Sequence, residues 1–222
     1  MDIIEALNWR YATKRMNGLP VPNKKLQIIL DAIYLAPSSY GLQPYAIVVI
    51  ENLELMKKIQ PIAYMQPQIV EASVLLVFTA WDCLTQQKID DYISHVALVR
   101  NVSEDSLKRI KEEMSNLLKN TAEENFCWHA KQSSIALGVA LCAAALEQID
   151  ATPMEGFNSK DLDEVLQLKD RGLRSVAIMA LGYRDVEKDQ LVNLPKVRRN
   201  KEELFISLQS EIGFTASNIN KI

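Results

Sequence analysis

Two basic clusters stand far apart in an acidic chain. The first, RYATKR, carries Arg10, Lys14 and Arg15, and the second, LPKVRR, carries Lys196, Arg198 and Arg199 just after a proline. Arginine forks match phosphate oxygens bidentately, and a lysine adds a point charge. Backbone cradles for phosphate are missing: no two of the seven glycines are spaced for G-x-G-x-x-G or a P-loop. A phosphorylated ligand would therefore need these side chains. On composition alone, both clusters read as solvated surface charge.

Two further stretches could touch a ligand. TPMEGF, residues 152–157, offers a Pro-x-Glu-Gly turn with exposed N–H groups; by itself it reads as a plain loop. APSSYGLQPY, residues 36–45, places two hydroxyls and two prolines between a helix pattern and an apolar run. Other chemistries find no support. His95 and His129 are far apart without neighbouring ligands, and there is no G-x-S-x-G. Cys83, Cys127 and Cys142 share no C-x-x-C spacing and read as free thiols of a reducing cytoplasm.

The elements that must position these residues follow from periodicity. A short helix is expected over DIIEALNWR. A second spans VPNKKLQIILDAIYLA, capped by Asn23, with Leu26, Ile29, Leu30, Ile33 and Tyr34 as its stripe, ending at Ala36 before Pro37. YAIVVIE and SVLLVFTAW read as buried strands, and SVAIMALGYR as a third. NLELMKKIQPIA reads as a helix interrupted by Pro61. Residues 86–124 read as charged helices with Leu107, Ile110, Met114 and Leu117 as a thin apolar stripe, and the chain from Leu191 onward as less regular. Without a strict βαβ beat the pattern points to an α+β layer fold, a central, mostly antiparallel sheet flanked by helices. Residues 135–146, IALGVALCAAAL, have no polar side chain, which predicts a long apolar central helix buried on every face. A core continuing into a second subunit would cover it, so a homodimer is expected.

The length of 222 residues suits one domain, residues 1–222, and no linker or repeat divides it. A net charge of −3 argues against a nucleic-acid partner. No run reaches the ~18 apolar residues of a membrane span. The N-terminal MDIIEALNWR lacks the apolar core of a signal peptide, so a cytoplasmic location is expected and Asn101-Val-Ser103 is not a glycosylation signal.

Taken in order, R-x-x-x-K, A-P-S-S-x-x-x-Q-P-Y, WHAKQ opening a long helix, P-x-E-G-F, LGYR and LPKVR span nearly the whole chain. The ordered set resembles the FMN-dependent nitroreductase family, in particular its oxygen-insensitive NAD(P)H nitroreductase and dihydropteridine reductase branch. The resemblance implies that Arg10, Lys196 and Arg198 hold the FMN phosphate and that Lys14 approaches the N1/O2 edge of the flavin. It implies that Pro153, Met154, Glu155 and Gly156 pass over the ring, with the N–H groups of Glu155 and Gly156 toward N5 and O4. Pro37, Ser38 and Ser39 would reach the same flavin from a partner subunit. Tyr11, Ala12, Met65 and Gln68 complete the implied cofactor site. Lys14 would stabilise the negative charge that hydride transfer leaves at N1/O2, and Glu155 would act through its backbone. The implied activity moves hydride from NADH or NADPH to nitroaromatic or quinone-type acceptors by ping-pong kinetics, without metal.

Three positions depart from the family pattern. Met65 stands where relatives often carry an Asn, Gln68 where the closest branch has a Lys, and Ala12 where a Ser is common. These bear on flavin potential and acceptor preference more than on FMN binding. The alternatives are another branch of the fold, such as a flavin or enone reductase, or a non-catalytic flavin-binding protein.

Overall fold

The computed structural model describes residues 1–207. In chain order the elements are α1 (Ile3–Trp9), α2 (Asn23–Tyr34), β1 (Tyr45–Ile50), α3 (Leu53–Ile62), α4 (Gln68–Glu71), β2 (Val74–Trp81), α5 (Gln86–Arg100), α6 (Lys108–Ser115), α7 (Ala122–Leu146), β3 (Asp150–Met154), α8 (Ser159–Val165), β4 (Leu173–Gly182) and α9 (Lys201–Leu204). The strands form one antiparallel sheet in the order β1-β2-β4-β3. Helices cover both faces of the sheet.

Alternation along the central strands divides the core. Val74, Leu76 and Phe78 of β2, with Ala177, Met179 and Leu181 of β4, face α2 and α7. Leu75, Val77, Ile178 and Ala180 face Met56 and Ile59 of α3 and Leu162 of α8. A smaller cluster joins α5 and α6 to Leu42 and Leu84 through Ile89, Ile93, Leu107 and Met114. Leu107, Ile110, Met114 and Leu117 thus form the expected stripe.

Several expectations are corrected. The helix α7 is long, at 25 residues, but it is not apolar along its length. Its first half buries Asn125, His129, Gln132 and Ser133, while Ile135 and Leu146 are each 43% exposed. Its small-residue face, including Ala136, Ala140 and Ala144, is buried against the sheet and α2, and Leu137, Val139 and Leu141 are only partly covered, so the apolar stretch is not buried all round in one protomer. β1 is an edge strand, half-covered rather than buried. Pro61 lies inside α3, one residue from its end, where it removes one bond of the last turn but does not divide the helix. Pro22, not Asn23, is the N-cap of α2, and Tyr34 is 73% exposed instead of joining the stripe. The sequence reading missed β3. Its Pro153 suggested a loop, yet an edge strand tolerates a residue without an N–H.

Candidate active site

The segment after α1 is fixed on both sides, and this fixes the first basic cluster. The Lys196 ammonium donates to the carbonyl oxygens of Leu7, Asn8 and Arg10, which α1 leaves open at its C-terminus. The Thr152 hydroxyl of β3 donates to the Thr13 carbonyl at 2.8 Å. Met16 forms a bridge with Arg184 just past β4. Glu71 accepts from the Met16 N–H at 2.9 Å and from the Arg15 guanidinium at 2.7 Å. The approach is close: a Cβ on Gly182 would lie 2.9 Å from the Met16 sulfur, which would have to shift to admit it. Arg15 is therefore spent on Glu71, and Arg10 and Lys14 remain from the first cluster.

Those two side chains line a cavity of about 650 Å³ together with Lys196 and Arg198. Tyr11, Ala12 and Pro153 line it as well, as does Arg184. Arg184 brings no free charge, because it forks onto Asp150, with the shortest contact at 2.6 Å, and lies over the rings of Trp9 and Tyr11 at 4.3 and 4.6 Å. Among the described residues no carboxylate lines this cavity. The Arg10 guanidinium is pushed below its ordinary range by burial and then by the charge of Arg198. Lys196 is lowered likewise, by burial first and then by Arg10 and Arg198. The Nε of Arg10 is buried with no hydrogen-bond partner among the described residues, although its Nη2 lies 3.4 Å from the Ala151 carbonyl. Converging cations that raise each other's energy, with one donor left unsatisfied, form a site built for an anion. A second cavity of about 580 Å³ has no such field, since Asp82, Asp163 and Asp170 share it with Lys160, Lys169 and Arg174.

The other expected residues divide into two groups. Met154, Glu155 and Gly156 continue from Pro153 along the end of β3. Met154 is buried and its sulfur accepts from the Gln68 side chain at 3.4 Å, while Glu155 and Gly156 are exposed. No backbone hydrogen bond from the Glu155 or Gly156 N–H occurs among the described residues, which leaves both free to donate. Gln66 Nε2 holds the Gly156 carbonyl at 2.9 Å, and Gln66 Oε1 accepts from Gln68 at 3.0 Å. Gln68 is thus buried under the loop rather than lining the cavity, and Met65 points outward from a left-handed backbone with φ 58°.

Pro37, Ser38 and Ser39 do not line the cavity of their own chain. Gln132 of α7 accepts from the Ser39 N–H at 2.8 Å, and Ser38 Oγ accepts from the Gln43 N–H at 2.9 Å. The Tyr92 hydroxyl of α5 donates to the Tyr40 carbonyl. Gly41, at φ 79°, completes the turn in a conformation that favours glycine.

The sequence profile of the Nitroreductase family matches residues 7–183. The chain belongs to the nitroreductase family. A Staphylococcus saprophyticus relative with a provisional NAD(P)H nitroreductase name is 35% identical over 91% of this chain and 94% of its own. The major NAD(P)H-flavin oxidoreductase of Aliivibrio fischeri is 27% identical over 93% of this chain and 98% of its own. Among solved structures, a provisionally named nitroreductase of Exiguobacterium sibiricum in complex with FMN has the same fold. It superposes with a TM-score of 0.77 at 17% identity, covering 93% of this chain and 97% of that one.

Family motifs did not point to every residue that shapes this cavity. Arg184 closes the LGYR motif, but its stacking on Trp9 and Tyr11 depends on the fold. Gln66 carries no sequence signal at all. Neither does Asp189, a buried carboxylate beside the first basic cluster.

Proposed function

We propose that this nitroreductase-family chain is an FMN-dependent oxidoreductase that takes hydride from NADH or NADPH and passes it to nitroaromatic or quinone-type acceptors. The observation that carries this reading is the convergence of Arg10, Lys196 and Arg198 on a cavity that no carboxylate lines among the described residues, with the Arg10 Nε buried and unpartnered among them. That donor set fits a phosphate monoester. When bound, the flavin supplies the hydride chemistry, as flavins do wherever a protein orients them.

The residues of the chain do the rest. Arg10 and Arg198 bind the phosphate, and Lys196 adds charge while holding the end of α1 in place. Lys14, which has no ion-pair partner among the described residues, serves the ring edge where negative charge gathers during reduction. The free N–H groups of Glu155 and Gly156 orient the reacting edge. Reductant and acceptor occupy the same face in turn, which gives ping-pong kinetics. No side chain is needed as a general acid or base.

The active site is completed in a homodimer by Pro37, Ser38 and Ser39 of the second subunit. The apolar surface left on α1 at Ile3, Ile4 and Leu7, and on α7 at Ile135 and Leu146, supports that assembly. The whole chain forms a single domain. The three free cysteines suit a cytoplasmic location.

The deciding assay is oxidation of NADH and NADPH by purified protein, with and without menadione or nitrofurazone. Acceptor-dependent oxidation with parallel double-reciprocal lines is expected. Protein that carries flavin yet leaves both nicotinamides untouched in the presence of either acceptor would be a flavin binder and not this enzyme.

A further inference from the structure

Asp189 follows β4 in the loop that leads to the second basic cluster, and it is 3% exposed. It does not line the cavity. One of its oxygens, Oδ2, accepts from the Tyr11 hydroxyl at 3.0 Å, from the Thr13 hydroxyl, and from the Lys14 N–H at 2.9 Å. The other, Oδ1, accepts from the Leu191 N–H at 2.9 Å and so sets the turn that begins the run to Lys196 and Arg198. One carboxylate thereby joins segments 175 residues or more apart in sequence, each carrying half of the cation cluster.

Its partners are unusual in kind. Asp189 lies near Lys14 and Arg15, yet it forms no ion pair among the described residues, and all of its donors are neutral. Burial would raise its pKa, but the hydrogen bonds from Thr13, Leu191, Lys14 and Tyr11 outweigh that, and its pKa ends below the ordinary carboxylate value. It stays ionised without using up a cation. Its four hydrogen bonds tie the segments together while making no contact with the side chains of Arg10, Lys14 or Arg198.

We infer that Asp189 is a positioning residue for the anion site, setting the register between the Arg10–Lys14 segment and the loop that carries Lys196 and Arg198. The inference rests on the reading of this site as the FMN phosphate site. Asp189→Asn keeps the shape and loses the function at one defined point. Its single oxygen can still accept from the first segment, but its amide then faces the Leu191 N–H, donor against donor, and the two halves come apart.

Riboflavin is FMN without the phosphate, which allows positioning to be separated from general stability. Full-length protein freed of flavin is titrated with FMN and with riboflavin by fluorescence quenching. Wild type should bind FMN far more tightly. Asp189→Asn should lose roughly tenfold or more of its FMN affinity, the size expected for a misplaced charged hydrogen bond, with riboflavin affinity changed by less than about twofold. Thr13→Val, which removes one donor and keeps the side-chain shape, should shift the FMN-to-riboflavin ratio in the same direction by a smaller factor. It decides the matter if Asp189→Asn does not fold. An unchanged ratio in the variants, or equal weakening of both flavins, overturns the positioning role and leaves the phosphate site standing. A wild type that does not distinguish FMN from riboflavin overturns the phosphate site, and the role of Asp189 with it.

Discussion

Arg198 and Lys196 belong to one cluster and do different work. The three carbonyls at the end of α1 take up the Lys196 ammonium, whereas the only hydrogen bond of Arg198 among the described residues goes to the carbonyl of its neighbour Val197. Arg198 can therefore turn to a ligand without breaking the fold. Arg198→Ala should lose a charged hydrogen bond of ~1.5–3 kcal/mol, roughly a tenfold to hundredfold loss of FMN affinity. The variant should purify pale and regain activity with added FMN; full yellow colour with unchanged affinity would remove Arg198 from the phosphate site. Glu155 makes the opposite case. Its side chain is exposed, and its N–H makes no backbone hydrogen bond among the described residues, so the proposed role falls to the N–H. Glu155→Gln should keep most of the hydride-transfer rate in rapid mixing with NAD(P)H, and a loss of ~10²-fold or more would give the carboxylate a proton-transfer role.

At the scale of elements, α7 shows where periodicity reads well and where it does not. Thr121 and Glu124 form a capping box that starts the helix, a signal visible in the sequence. The buried polar face that follows, from Asn125 to Ser133, is set by what lies opposite and not by spacing. His129 Nδ1–H donates to the Trp81 carbonyl at the end of β2, 2.9 Å away, and its Nε2 is buried without a partner among the described residues. Burial, the largest cause, holds its pKa below the ordinary 6.5. The unfolded chain therefore takes up a proton that the folded chain refuses, and stability falls as pH drops below about 6.5 toward the folded-state value. His129→Gln keeps a donor for Trp81 and removes the titration. Its denaturant-unfolding free energy should fall less between pH 7 and 5 than that of wild type, and parallel curves would exclude His129 as a source of the slope. The same contrast explains the legibility of the fold. β2 and β4 were readable because both of their faces are buried. β3 is missed because edge position, which permits Pro153, is a property of the sheet; β1 reads correctly as a strand, but its apolar run does not show that it lies half-covered at the other edge. The basic clusters were visible as charge, but which cations stay free was not, because Arg15 and Arg184 are paired by Glu71 and Asp150 from elsewhere in the chain.

For the whole molecule, one chain places the cation-lined cavity and the turn of Pro37, Ser38 and Ser39 in different settings: the cavity beside α1 and β3, the turn against α7 and α5. In the proposed twofold dimer each chain would give its cavity to one site and its turn to the other. This reciprocity has a consequence that a one-chain site does not share. Two inactive variants are needed, each damaging one half. Arg10→Ala combined with Arg198→Ala empties the cavity side. Ser39→Trp adds bulk on the turn side; its hydroxyl makes no hydrogen bond among the described residues, so less of the turn is lost than with Ser38, whose oxygen holds the Gln43 N–H. Each homodimer carries the same lesion at both of its sites. In the mixed dimer both lesions fall in one site, and the other is intact. Co-refolding the two variants with different tags and isolating the heterodimer should therefore restore acceptor-dependent NAD(P)H oxidation, at about half the activity of a wild-type dimer, since one of two equivalent sites survives. An isolated heterodimer with no activity, or an active monomer with FMN bound, would mean that a single chain builds the whole site.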